Sequence, residues 1–293
     1  MRLFRFWLQR AGYALLAACC LLAPAAAPAA EPAGRFIVLA DLHIGQNDAR
    51  LQTRYDEMVR EIRRADHAPI AVFAIGDITE QGDEAEFDRF LATFVTPLKA
   101  AGIPLYAVPG SRDNGRQGLE PWKRAIGPLY QAVTLGDIRF ILACSVPEDA
   151  PGQPAARGGV IGTNQLAWIR TELEAPETRA ATWVVLVTHF PLWPEDFGGP
   201  AIQDLDAAGQ PTGAARTLQA WAAEPGIDLV LCASRHLQAA PIVHPHPNGR
   251  QTWHLLNESA VMGRVSRVSD GRGGFRTFGG FGYQIFDVDG ARL

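Results

Sequence analysis

The chain has 293 residues, 47% hydrophobic and 20% charged, a balance that fits a folded globular protein and excludes a disordered or fibrous one. Its 31 acidic and 27 basic residues give a net charge of −4, a field that disfavours nucleic acid and anionic membrane as partners. Residues 1–30 contain three arginines and no acid, so the remainder is more acidic still.

The N-terminus differs in kind from the rest of the chain. Arg2, Arg5 and Arg10 form a basic region ahead of an apolar run from Ala11 to Ala23, which is too short to span a bilayer. Ala25-Ala26-Ala27 and Ala27-Pro28-Ala29 then offer A-x-A cleavage sites. We read residues 1–30 as a secretory signal peptide, 31–34 as a linker and 35–293 as one domain. Leu16-Ala17-Ala18-Cys19 also fits a bacterial lipobox, which would leave a lipid anchor on Cys19. The apolar run continues through Cys20, Leu21 and Leu22, which favours ordinary export. Either route places the mature chain outside the cytoplasm, periplasmic or secreted, with no membrane contact unless Cys19 is lipidated. Cys144 and Cys232 then remain. Each ends an apolar run and neither belongs to C-x-x-C, so both are expected as buried thiols.

From Arg35 onward, apolar runs of strand length alternate with amphipathic stretches of helix length. The pattern predicts strands at Phe36–Ala40, Ile70–Ile75, Leu105–Val108, Ile138–Cys144, Trp183–Val187 and Leu229–Cys232. Helices are predicted at Leu51–Arg64, Glu84–Ala100, Asn164–Leu173 and Ala214–Ala223. Such alternation predicts an α/β domain whose central strands are buried on both faces. Thr252 to Val288 lacks helical periodicity and reads as added strands. The Gly-rich piece Gly271–Gly282 is not followed by a helix, which excludes a phosphate loop there.

Polar residues of metal-binding type come directly after five of these runs: Asp41-Leu42-His43, Gly76-Asp77, Gly110-Ser111-Arg112-Asp113, Thr188-His189 and Ala233-Ser234-Arg235-His236. The carboxyl ends of strands are where open α/β sheets place their ligands. Residues two apart in an extended chain face the same side, so Asp41 and His43 can reach one ion. Each motif is weak alone; their order and placement after strands carry the weight.

The series resembles the calcineurin-like metallophosphoesterases, whose motifs run D-x-H, G-D, G-N-H-D/E, H and G-H-x-H. Asn164-Gln165-Leu166-Ala167-Trp168 is similar to a family helix that begins Q-x-x-W. The resemblance implies a four-layer α/β/β/α sandwich and hydrolysis of phosphate mono- or diesters. By position it implies a first metal held by Asp41, His43, Asp77 and His236, with Mn, Fe or Zn suited to such mixed ligands. It implies a second metal bridged by Asp77 and held also by Ser111, His189 and Ser234. Two of those four are neutral hydroxyls, so one tightly bound ion is expected rather than two. Arg112 stands where the family keeps its catalytic histidine, beside Asp113, also placed among the catalytic positions. A guanidinium stays protonated and cannot serve as an acid, but it can clamp a phosphate. Arg112 and Arg235 are read either as anion-binding groups or as partners in ion pairs, Arg112 with Asp113 or a nearby aspartate.

Two functions are open from these residues. One is an exported metal-dependent phosphoesterase with reduced or altered activity. The other is an inactive relative that binds an anionic ligand or a protein partner on the same surface. The expected ligand of an active protein is a phosphate ester or another anionic small molecule. His244, His246 and His254 are expected to be solvated, with Pro241, Pro245 and Pro247 marking a surface loop.

Overall fold

The apolar runs form two β-sheets packed face to face in a computed structural model that describes residues 34–46, 49–64, 69–148, 151, 158–205, 210, 212–236, 239–257, 266–269, 275–278 and 283–288. The expected signal peptide, nearly all of the linker and the Cys19 lipidation position lie outside the described residues.

The chain begins β1 (Gly34–Leu39), α1 (Ala49–Ile62), β2 (Ala71–Ile75), α2 (Glu84–Phe90), α3 (Thr96–Ala100), β3 (Leu105–Val108) and α4 (Glu120–Ala125). It continues through β4 (Gln131–Leu135), β5 (Ile138–Leu142), α5 (Thr163–Glu174), α6 (Pro176–Ala180), β6 (Trp183–Val187), α7 (Pro194–Phe197), α8 (Ala214–Trp221) and β7 (Leu229–Cys232). The remaining strands are β8 (Ile242–Pro245), β9 (Gln251–Leu256), β10 (Ser266–Ser269), β11 (Phe275–Phe278) and β12 (Gln284–Val288).

One sheet has the order β12-β1-β2-β3, with β1, β2 and β3 parallel and β12 antiparallel at the edge. A second runs β4-β5-β6-β7-β9-β8, parallel from β5 to β9 and closed by antiparallel β4 and β8, while β10 and β11 form a separate antiparallel pair. Side chains alternate across each strand. In β1, Phe36 and Val38 face the opposite sheet, where they join Phe73, Ile75, Phe140, Leu142, Val185 and Leu231. Phe36 stacks on Phe286 at 4.7 Å and meets Phe73 and Phe140 edge-on. Ile37 and Leu39 point the other way, into an apolar cluster with Tyr55, Met58 and Ile62 of α1. Ile141, Leu186 and Val230 do the same against Ile169, Leu173 and Leu218. The result is the expected four-layer α/β/β/α sandwich. It explains why the central strands read as continuous apolar runs.

Two departures from the expected elements have local causes. The stretch Glu84–Ala100 is not one α-helix, because Leu91–Val95 is π-helical. Pro97 has no N–H to continue the ladder, and the Thr96 N–H bonds instead to the Leu91 carbonyl. His244 and Pro245 lie in β8, not in a loop. β8 is an edge strand, and an edge tolerates proline that a central strand would reject. Cys144 and Cys232 are buried thiols, with no disulfide among the described residues.

Candidate metal centre

All five motifs emerge at the carboxyl edges of β1, β2, β3, β6 and β7, and backbone hydrogen bonds staple the turns together. The Asp41 N–H donates to the Gly76 carbonyl at 3.1 Å, His43 N–H to Asp77 at 2.9 Å and Ala233 N–H to His189 at 2.9 Å. Among the described residues, the non-glycine positions with positive φ are Asp41, His43, Asp77, Ser234 and His236, between 47° and 76°. Left-handed backbone at such residues costs on the order of 1 kcal/mol or more each. Its confinement to the motif positions shows that the strain is held where the side chains must converge. Gly76, at φ 70°, lies so close to the His189 ring that a Cβ would overlap it. A Cβ on Gly110 would fall on the Asp77 amide and carboxylate. Only glycines let β2, β3 and β6 approach this closely.

Asp41, His43, Asp77 and His236 each offer one donor atom, all within 4.8 Å of one another. His43 Nε2 stands 3.3 Å from His236 Nε2 and 3.9 Å from Asp77 Oδ2, and His236 Nε2 stands 3.6 Å from Asp41 Oδ1. Ligands bound tetrahedrally at about 2.1 Å lie about 3.4 Å apart, so these separations fit a shared divalent ion. His43 Nδ1 is 2.8 Å from Glu80 Oε2. Donation from that nitrogen leaves Nε2 with its lone pair towards the cluster. Burial pushes the His43 imidazole below its ordinary 6.5, opposed only in part by Asp77 and Glu80, so it is neutral near pH 7. Burial raises the Asp77 carboxyl, but His189 and His43, whenever either ring is protonated, and the hydrogen bond from the Arg112 amide together hold it below its ordinary range. Neutral imidazoles and ionised carboxylates are the states that bind metal.

His189 lies on the far side of Asp77, its Nε2 at 3.4 Å from Asp77 Oδ1. Its Nδ1 is 3.1 Å from the Ile75 carbonyl, which can only accept, so the ring proton sits there. Nε2 is left fully buried without a hydrogen-bond partner. Ser111 Oγ donates to Asp77 Oδ1 at 3.2 Å, filling with a hydroxyl the place where a second ligand is expected. Ser234 is positioned by the turn after β7.

Arg112 is not paired with Asp113. Its backbone N–H donates to Asp77 Oδ1 at 2.7 Å, and its half-exposed guanidinium stands 3.4 Å from Glu80 Oε1. Asp113 corrects the expectation of a catalytic role. It is fully buried and accepts from the amides of Ile78, Thr79 and Gly110 and from the Thr79 hydroxyl. With no surface facing the cleft, it clamps the turns after β2 and β3. Burial and the nearby Asp77 charge push its carboxyl up to about 7. Sequence reasoning missed Glu80, which contacts both His43 and Arg112. The available signal was a carboxylate three residues after Asp77.

The spare histidines also correct an expectation. His254 is fully buried, and His244 stacks on Trp193 at 3.9 Å. His244 Nε2 and His254 Nδ1 both lie 2.6 Å from Asp196 Oδ2. That is hydrogen-bond spacing, well inside the roughly 3.4 Å expected of co-ligands. The trio pins α7 to β8 and β9 and does not refill the metal centre.

The calcineurin-like phosphoesterase family matches this chain over residues 34–236. No curated protein matches it. A dimetal phosphatase from Danio rerio is similar at 16% identity and TM-score 0.50, over 86% of this chain and 94% of its own. A purple acid phosphatase, PPD1, from yellow lupin (Lupinus luteus) is similar at 16% identity and TM-score 0.53, over 77% of this chain and 44% of its own. At such identity the two structures speak for the fold alone. Family match, sheet architecture and the convergence of the five motifs agree: the chain belongs to the calcineurin-like phosphoesterase family.

Proposed function

We propose that the protein is an exported phosphoesterase that works with one tightly held divalent ion, Mn, Fe or Zn. Asp41, His43, Asp77 and His236 would hold it. The carrying observation is the asymmetry around Asp77. On one side Asp77 joins Asp41, His43 and His236 as four donors at ion-sharing distances; the other has His189 and the Ser111 hydroxyl. An ion of this class polarises a phosphoryl oxygen and acidifies bound water.

The chain's own groups do the rest. Arg112, steadied by Glu80, offers N–H groups to phosphoryl oxygens and their developing charge. His189 turns its unprotonated Nε2 towards Asp77 from the other side, at 3.4 Å from Oδ1. No group stands at the Arg112 position to protonate a leaving oxygen. General acid catalysis contributes about 10²–10⁴-fold, so the reading favours esters with good leaving groups. The substitutions at Ser111, Arg112 and Ser234 favour a second reading, a non-catalytic protein that binds an anion at the same place.

Assays of the mature protein on an aryl phosphodiester and its alkyl counterpart separate the two. The aryl ester should be turned over and the alkyl ester hardly at all, with turnover abolished by Asp41→Ala. The combined variant Ser111→Asn, Arg112→His, Ser234→His should take up a second ion and gain activity on both. If that variant gains the ion without activity, and the parent turns over neither ester, the anion-binding reading replaces this one.

A further inference from the structure

Arg235 sits between Ser234 and His236 in the turn after β7, and its guanidinium lies against Gly199, just past the end of α7. That turn and the one carrying His189 leave paired parallel strands, β7 and β6, at the same edge as the metal centre. A side chain on Gly199 would overlap the guanidinium, so glycine is what admits it there. Arg112, on the opposite sheet, has Glu80 as counter-ion. Arg235 has none: among the described residues it forms no ion pair and no side-chain hydrogen bond, and its Nε is buried without an acceptor. A guanidinium is always charged and donates through five N–H groups, so burying one of them unmet is unfavourable unless a ligand supplies the acceptor.

We propose that Arg235 anchors a second anionic group of the substrate, a carboxylate or a further phosphate, beyond the phosphoryl group held near Arg112. The site would then select phosphate esters that carry another oxyanion. This rests on the phosphoesterase reading and names its substrate class. Arg112 and Arg235 would flank the ligand from the two sheets, each with paired N–H groups that suit planar or tetrahedral oxyanions.

Titration calorimetry on the metal-loaded full chain tests it with three non-hydrolysable probes: methylphosphonate, phosphonoacetate and methylenediphosphonate. Phosphonoacetate or methylenediphosphonate should bind about tenfold or more tightly than methylphosphonate, and the tighter of the two identifies the second group. Arg235→Ala should erase that advantage and leave methylphosphonate binding unchanged, while Arg235→Lys should keep part of it. An advantage that survives Arg235→Ala would mean that the probes chelate the ion directly, and would overturn the proposal. So would equal binding of all three probes by the unmodified protein, with water as the acceptor of Nε. A protein that holds its metal but binds none of the probes loses the phosphoesterase reading, and this proposal with it.

Discussion

Arg112 places a fixed cation beside the candidate metal group. Its amide bonds Asp77 and its guanidinium reaches Glu80. If that cation clamps phosphate, Arg112→Lys should raise KM about tenfold, because the charge survives and the fork geometry does not. Steady-state kinetics on an aryl phosphodiester would show this; an unchanged KM with lowered kcat would contradict it. Asp41, His43, Asp77, His189 and His236 were legible in the sequence because each comes just after an apolar strand. Glu80 and Asp113 were not. Their roles depend on where a side chain turns after leaving the backbone, towards His43 and Arg112 in one case and towards three amides in the other. His254 misled for a similar reason, since its partner Asp196 is 58 residues away.

At the scale of elements, the centre depends on turns that could not close with other residues. Gly110 brings β3 against Asp77, and alanine there would overlap the Asp77 amide. Overpacking of this kind costs about 1–3 kcal/mol. Gly110→Ala should therefore fold with a lowered Tm and lose metal affinity, as thermal melts and metal titration would show; full affinity in a folded variant would contradict the account. Strands β2, β6 and β7 were readable because burial on both faces makes them unbroken apolar runs; β1, β3 and β5 remain mostly apolar, although Arg35 and Arg139 interrupt two of them and β3 is half-buried at its start. The shorter elements were not. β4 is only half-buried, α4, α6 and α7 span six residues or fewer, and the prolines around β8 concealed an edge strand. The π-helical segment Leu91–Val95 leaves no trace in periodicity; only Pro97 hints at it.

For the whole molecule, the inter-sheet core sets the function. Phe36, Phe73, Phe140 and Phe286 lock the two sheets so that the carboxyl edges of β1 to β3 stand beside those of β6 and β7. Each sheet alone carries part of the candidate metal group: Asp41, His43 and Asp77 on one, His236 on the other. The order of motifs revealed this pairing only through the family resemblance, because no local pattern states which strand ends meet. The proposed export belongs to this scale too. The mature N-terminus should fall between Ala27 and Glu31, and intact-mass measurement of the protein from its native host would show it. A diacylated or triacylated Cys19 would replace cleavage with lipid anchoring, and an intact Met1 chain in the cytosol would contradict both.

The central claim, one ion held on one side of Asp77, is tested most directly by anomalous diffraction from crystals of the Mn-loaded protein at the metal edge. The account predicts a single strong peak among Asp41, His43, Asp77 and His236, and none beside His189 Nε2. A second peak of comparable height between His189, Asp77 and Ser234 would contradict it.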